Sequence, residues 1–211
     1  MKNTFVKRTL VLAVFATMGH AFAATTFTNE ATFVTALSGA TIALESFEST
    51  PGGSAASLVF PTVTVTCSGS AYCHGVVGVS SLLPTDGSQG VYYATPDTIT
   101  FSFATPITAF GIDIRGLGTV GATDYSAKLS NGSSGTFFTG YTGGDAGHLF
   151  AGITDTTAFS SVTFHGTGPN DGIYFDRMQI AAVPEPETYA MLLTGLGLLG
   201  AIARRRNAKQ A

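Results

Sequence analysis

Five oxygen-bearing side chains could act together in this 211-residue chain: Glu45 and Glu48 in ALESFES, and Asn170, Asp171 and Asp176 in PNDGIYFDRMQI. Carboxylates brought close together repel unless a proton or a cation sits between them. Calcium suits such a place, because it takes carboxylate and carbonyl oxygens. Asp176 is the most informative of the five. Strict alternation through IYFDRMQI would put it on one strand face with Tyr174, Met178 and Ile180. A carboxylate in register with Met178 and Ile180 is expected to be partly buried and therefore needs a partner. Calcium is one candidate. The plainer alternative pairs Asp176 with Arg115 or with backbone amides, and makes Asn170-Asp171-Gly172 a simple turn.

Catalysis finds little to use. His20 falls in the N-terminal leader, and His74, His148 and His165 sit in Gly- or Ser-rich settings. No nucleophile elbow, zinc-protease or phosphate-loop pattern occurs. A glycosidase needs two carboxylates at a fixed separation, and an acid-rich chain could supply such a pair anywhere, so the expectation is a non-enzyme with no catalytic residue. Tyr72, Tyr92, Tyr93, Tyr125 and Tyr141 lie in or beside turn-rich stretches and offer aromatic faces to sugar rings. The chain has no Trp, and edge-of-core packing with a wet hydroxyl is the alternative for each tyrosine. Cys67 and Cys73 are the two cysteines, and an exported pair is expected to bond. A metal site with His74 is the other option, but the remaining ligands that zinc requires are missing.

The elements that position these groups read as strands. DTITFSFATP alternates, with Ile99, Phe101 and Phe103 on one face. ITAFGIDIRG puts Phe110, Ile112 and Ile114 inward and Asp113 and Arg115 outward, and FSSVTFHG puts Val162 and Phe164 together. YSAKLSNGSSGTFFTGY reads as a hairpin turning at Asn131-Gly132. Further strands are expected over residues 42–47, 58–67, 75–79, 91–94, 148–153 and 173–180. One short helix is expected in TFTNEATFVTALSG, capped by Asn29 or Thr28, with Phe33 and Leu37 on one face and Gly39 ending it. About ten short strands with period-two patterning predict an all-β fold, a jelly-roll-type β-sandwich, with a closed barrel as the alternative.

Both ends of the chain stand apart from this body. Lys2, Lys7 and Arg8, an apolar stretch over residues 10–18 and then Ala21-Phe22-Ala23 form a secretory signal peptide, residues 1–23, with cleavage after Ala23. Residues 24–182 form one extracytoplasmic domain. Between residues 24 and 182 three basic side chains, Arg115, Lys128 and Arg177, face eleven acidic ones, a formal charge of −8. That balance argues against nucleic acid as a partner and is compatible with divalent cations. Residues 183–211 begin with Pro184-Glu185-Pro186, continue with the Gly-interrupted apolar run 188–203, and end with Arg204, Arg205 and Arg206. Sixteen residues of helix span about 24 Å, just short of a bilayer's hydrocarbon core. The arginines would stay on the cytoplasmic side, leaving the body outside. On hydropathy alone this is a transmembrane helix anchoring the chain in the inner membrane.

The three-part tail resembles the PEP-CTERM sorting signal of exopolysaccharide-producing bacteria. The resemblance implies processing near Pro184-Glu185-Pro186 by exosortase, a membrane protease-transpeptidase, with transient anchoring and then release or attachment at the cell surface. The body, through IALESFES, PITAFGIDI, FAGITD, FSSVTF and DGIYFDRMQI, resembles the jelly-roll domains that such tails follow. It departs from their pattern at Ser46 and at Arg177. The implied function is a structural or adhesive component of the surface or extracellular matrix, associated with exopolysaccharide. The alternatives are a calcium-stabilised carbohydrate-binding module and, third, a glycan hydrolase.

Overall fold

The computed structural model describes residues 24–37, 39–49, 53–68, 73–77, 85–144, 147–168, 170–181, 194–197 and 199. The leader, Tyr72, the Pro-Glu-Pro stretch and the arginine cluster lie outside these. Residues 194–197 are helical and exposed. Among the described residues, no helix is long and apolar enough to cross a membrane.

Among the described residues, the body has twelve strands and one helix. In chain order they are β1 (Thr25–Phe27), α1 (Glu30–Ala36), β2 (Ile42–Glu45), β3 (Gly53–Ala55), β4 (Ser57–Val59), β5 (Thr64–Ser68), β6 (Cys73–Val77), β7 (Gln89–Ala94), β8 (Thr98–Arg115), β9 (Thr123–Leu129), β10 (Ser134–Tyr141), β11 (Leu149–Gly166) and β12 (Gly172–Ala181). DTITFSFATP and ITAFGIDIRG, which read as two strands, are one 18-residue strand, β8. The stretches around FAGITD and FSSVTF likewise merge into the 18-residue β11. The two long strands pair with each other along their length, with register breaks between Thr154 and Ser161.

Those breaks fold one continuous ladder into two facing halves. The first half joins β1, the start of β11, the end of β8, β12, then β7 and β2 along the same edge of β12, with β6 and β3 beyond β7. The second joins β10, β9, the end of β11, the start of β8, β5 and β4. Between them lies an aromatic core. Phe101 of the second half meets Phe110 and Phe175 of the first at ring-centroid distances of 5.5 and 5.4 Å. Tyr93 on β7 donates its hydroxyl hydrogen to Tyr125 on β9 across the core, 3.2 Å away.

Cys67 and Cys73 form the expected disulfide. The bond joins β5 of one half to β6 of the other, so it closes the sandwich along the margin opposite the β1 side.

The helix forms as its sequence predicts. The Asn29 side chain accepts from the Thr32 amide, and Gly39 follows at φ +91. Phe33 and Leu37 pack on the outer face of the first half against Ala109, Phe150 and Ala181, forming a second, smaller core. Gly111 and Gly152, directly paired across β8 and β11, make the seat for Phe33. A Cβ on Gly111 would stand 2.8 Å from a Phe33 ring carbon and 2.6 Å from Phe150, and one on Gly152 2.7 Å from each ring. Any larger residue would push the helix off the sheet.

Candidate functional site

β12 carries Asp176 and pairs with β2, the strand that carries Glu45. Its residues 172–175 pair with β7, and Met178–Ala181 pair with β2, so two strands share one edge end to end. Asp176 and Arg177 occupy the seam. Arg177 has φ +47, and the register against β8 slips between Asp176 and Gln179. Such a bulge reverses which side of the strand faces the core. Strict alternation therefore fails: Ile173 and Phe175 face the main core before the bulge, and Met178 faces it afterwards. Asp176 does not share a face with Met178 and Ile180, and lies opposite Asp113 on β8.

Asp176 is buried, and its Oδ2 accepts from the amides of Thr85 at 2.6 Å and Asp86 at 2.7 Å. The Thr85 hydroxyl adds a longer bond to Oδ2, and the Arg177 amide donates to Oδ1 at 2.7 Å. Burial pushes the Asp176 carboxyl up to about 6, against the pull of these donors.

The Arg177 side chain crosses to the helix side. Its Nε donates to Asp113 Oδ2 at 2.8 Å, and Nη1 and Nη2 donate to the two oxygens of Glu30 at 2.7 and 2.6 Å. Gln179 also donates to Glu30, and His148 Nε2 lies 3.0 Å from Asp113 Oδ1. Asp113, expected to face solvent, is 1 % exposed, because α1 and the Arg177 side chain cover the outer face there. The Arg177 bonds hold the Glu30 carboxyl below its ordinary range, and Glu30 and Asp113 together raise the guanidinium.

Among the remaining candidate carboxylates, Glu48 shares the segment before β7 with Asp176, and Glu45 and Asp171 hold other segments. Glu48 accepts from the Ser88 and Gln89 amides at 2.7 and 2.9 Å and from the Ser88 hydroxyl. Desolvation opposes these donors, yet they lower its carboxyl. Glu45 accepts from the Phe47 amide and the Thr62 hydroxyl. Asp171, fully buried, accepts from the amides of Gly118 and Thr119 and from the Thr123 hydroxyl. Asn170 sits at φ +49 in the turn before β12.

β2 does pair with β12, placing Glu45 opposite Met178. Asp176 and Glu48 both hold the segment 85–89 before β7, while Glu45 and Asp171 hold other segments; the carboxylate oxygens accept from N–H and O–H donors, and no group of three acidic, His or Cys side chains converges among the described residues. Among the described residues, the five do not gather around one point that a single calcium ion could share.

The tyrosines divide. Tyr93 and Tyr125 are fully buried, and burial pushes both phenols up, so neither offers a face to a sugar. Both lie on core-facing positions of their strands, which proximity to turns did not reveal. Tyr141 is half-buried beside Phe138, its ring 5.5 Å away. Tyr92 on β7 stands in register with Tyr174 on β12, which stands in register with Arg115 on β8. The two rings are 4.8 Å apart, and all three side chains are half-buried on the outer face. A Cβ on Gly172 would meet the Tyr92 ring at 2.8 Å, so that glycine lets the ring lie against the sheet. Tyr174 was not among the residues singled out from the sequence. Its period-two relation to Asp176 was the available signal.

Comparison with known proteins gives one assignment and several likenesses. Residues 182–207 match the PEP-CTERM protein-sorting motif. No curated protein matches the chain. A cleaved adhesin domain of Lys-gingipain from Porphyromonas gingivalis is 12% identical, covering 68% of this chain and 99% of its own at a TM-score of 0.45. A family 29 carbohydrate-binding module is 12% identical, covering 67% and 92% at 0.40. A carbohydrate-binding module from Clostridium stercorarium, solved with cellobiose, is 16% identical, covering 67% and 94% at 0.35. At these scores no residue role passes from them to this chain.

Proposed function

We propose that this PEP-CTERM chain is an exported, non-catalytic component of the bacterial surface or extracellular matrix, processed by exosortase and held in contact with exopolysaccharide. The sorting motif over residues 182–207 carries the reading, because it supplies a route out of the cell and a place where the tail is removed. The body is suited to that destination. Its disulfide belongs in an oxidising compartment, and its acidic residues keep it soluble. Among the described residues, Glu45, Glu48, Asp171 and Asp176 accept from loop amides and hydroxyls, and Glu30 and Asp113 bind Arg177.

Mass spectrometry of the surface-located protein tests this. A mature C-terminus within or just after Pro184-Glu185-Pro186 is expected. An intact Ala211 on surface-located protein would overturn processing and leave the tail an anchor.

A second reading, a carbohydrate-binding module, is favoured by the Tyr92–Tyr174 pair. Two adjacent, partly accessible aromatic rings on a sheet are the kind of surface on which sugar rings stack. A glycan array separates the two readings: selective binding abolished by Tyr174→Ala supports the module, and binding to no glycan supports the structural role.

A further inference from the structure

The two ends of the body leave it from the same place. Thr25 pairs with Thr154, Thr154 with Ala109, Ala109 with Ala181, and Ala181 with Ile42. The first residue of β1 and the last residue of β12 therefore stand on a single rung of the first half-sheet. They are three strand spacings apart, about 14 Å. β1 runs away from this rung and β12 runs toward it, so the chain before Thr25 and the chain after Ala181 emerge on the same side.

Both emerging segments are short. The apolar leader ends at Met18, seven residues before Thr25, and the apolar tail begins at Thr188, seven residues after Ala181. Fully extended, either link reaches no more than about 25 Å.

We infer that in the membrane-attached precursor this end of the sandwich lies against the lipid surface, with the Tyr92–Tyr174 end pointing away. The inference rests on the reading of the tail as a membrane-halting sorting signal. The partner is a lipid bilayer, and the chemistry of this end suits it. Its exposed side chains include Thr25, Thr41, Ala104, Thr105, Pro106 and Thr156, all uncharged. Asp155, the carboxylate in the corner where β8 and β11 bend, is buried and bonded to the Asn131 side chain and the Thr157 amide. By contrast Asp97, Asp124 and Asp171 lie in the farther half of the molecule, Asp113 and Asp176 pair with each other near its middle, about 13 Å from the rung, and Glu45, three pairs from the rung, is half-buried. An anionic bilayer would repel that farther half, and the repulsion fades within a Debye length. β12 places Gly172, next to Tyr92, about 30 Å from the rung.

The test uses the full chain, made cell-free into vesicles that contain a headgroup-nitroxide lipid. The native cysteines are already bonded to each other, so single cysteines can carry a fluorophore. Thr41→Cys marks the rung end and Val120→Cys the far end, both at exposed positions. Thr105→Cys and Gly121→Cys form a second, independent pair should either variant of the first misfold. Quenching several-fold stronger at 41 and 105 than at 120 and 121 is expected. Equal quenching, or stronger quenching at the far end, overturns the proposal while leaving the tail's reading intact. A full chain that fails to float with the vesicles overturns the membrane reading itself, and the orientation with it.

Discussion

Asp176 and Arg177 are sequence neighbours with opposite surroundings. Asp176 is enclosed by amides of the loop before β7, and Arg177 reaches the helix side to bind Glu30 and Asp113. The left-handed conformation of Arg177 makes both possible, because it turns consecutive side chains into different environments. In the sequence, Arg177 is visible only as a departure from the pattern the body resembles. Alternation cannot register it, since a period of two has no means of announcing a skipped step. Asp113 was misplaced for a related reason: alternation finds the outer face but not the helix lying on it.

Asp176 carries a pH dependence whose sign follows from its burial. The folded carboxyl holds its proton up to about 6, against an ordinary value near 3.8 in the unfolded chain. Between those values the folded state binds more protons, so this residue's contribution to stability falls as pH rises from about 4 to about 6. The span of the effect is at most about 3 kcal/mol. Urea denaturation at closely spaced pH values should show Asp176→Asn losing this downward slope relative to the unaltered protein. Glu30, whose carboxyl is lowered by Arg177, acts in the opposite direction at lower pH and is retained in the variant, so the difference between the two curves isolates Asp176.

Among the elements, the helix and most strands were legible. Phe33 and Leu37 are buried as their spacing predicts, and the hairpin turns at Asn131-Gly132, with the Gly132 amide donating to Leu129. The joining of four expected strands into β8 and β11 was not legible. The boundary between DTITFSFATP and ITAFGIDIRG, and residues 154–158 between two expected strands, mark the bends where one strand leaves one half-sheet for the other. The glycines in AFGIDI and FAGITD also acquire a reason: they are a cross-strand pair that must be bare for Phe33 to sit down. Gly111→Ala should cost about 2 kcal/mol through overpacking against Phe33 and Phe150. The same change at Gly121, where nothing lies within 4 Å and the backbone is not left-handed, makes a control. Thermal denaturation of the two variants distinguishes steric loss under the helix from the general cost of replacing a glycine.

For the whole molecule, the two half-sheets are held in three ways. β8 and β11 pass continuously between them, the aromatic core joins their inner faces, and Cys67–Cys73 closes the far margin. The bond spans a separation of only six residues, so its chain-entropy contribution is about 2 kcal/mol. Reduction should lower the urea midpoint by a corresponding amount without dismantling the fold, since the other two connections remain. Unfolding to a random chain on reduction alone would mean the core is far weaker than its buried aromatics indicate. The overall charge of the body was countable from the sequence. Its distribution was not, because it depends on which rung each acid occupies once the strands are paired.

β12 has a mechanical consequence. Its residues bond to β8 on one side, and to β7 and then β2 on the other, and the chain leaves it at Ala181 along the strand's own direction. A pull on the tail is therefore a shearing load. The ladder bonds on both flanks must slip together, whereas a strand peeled from an edge gives way one pair at a time. A cell that tethers this protein by its C-terminus pulls on an interior strand, and the join between body and tether is built to bear tension.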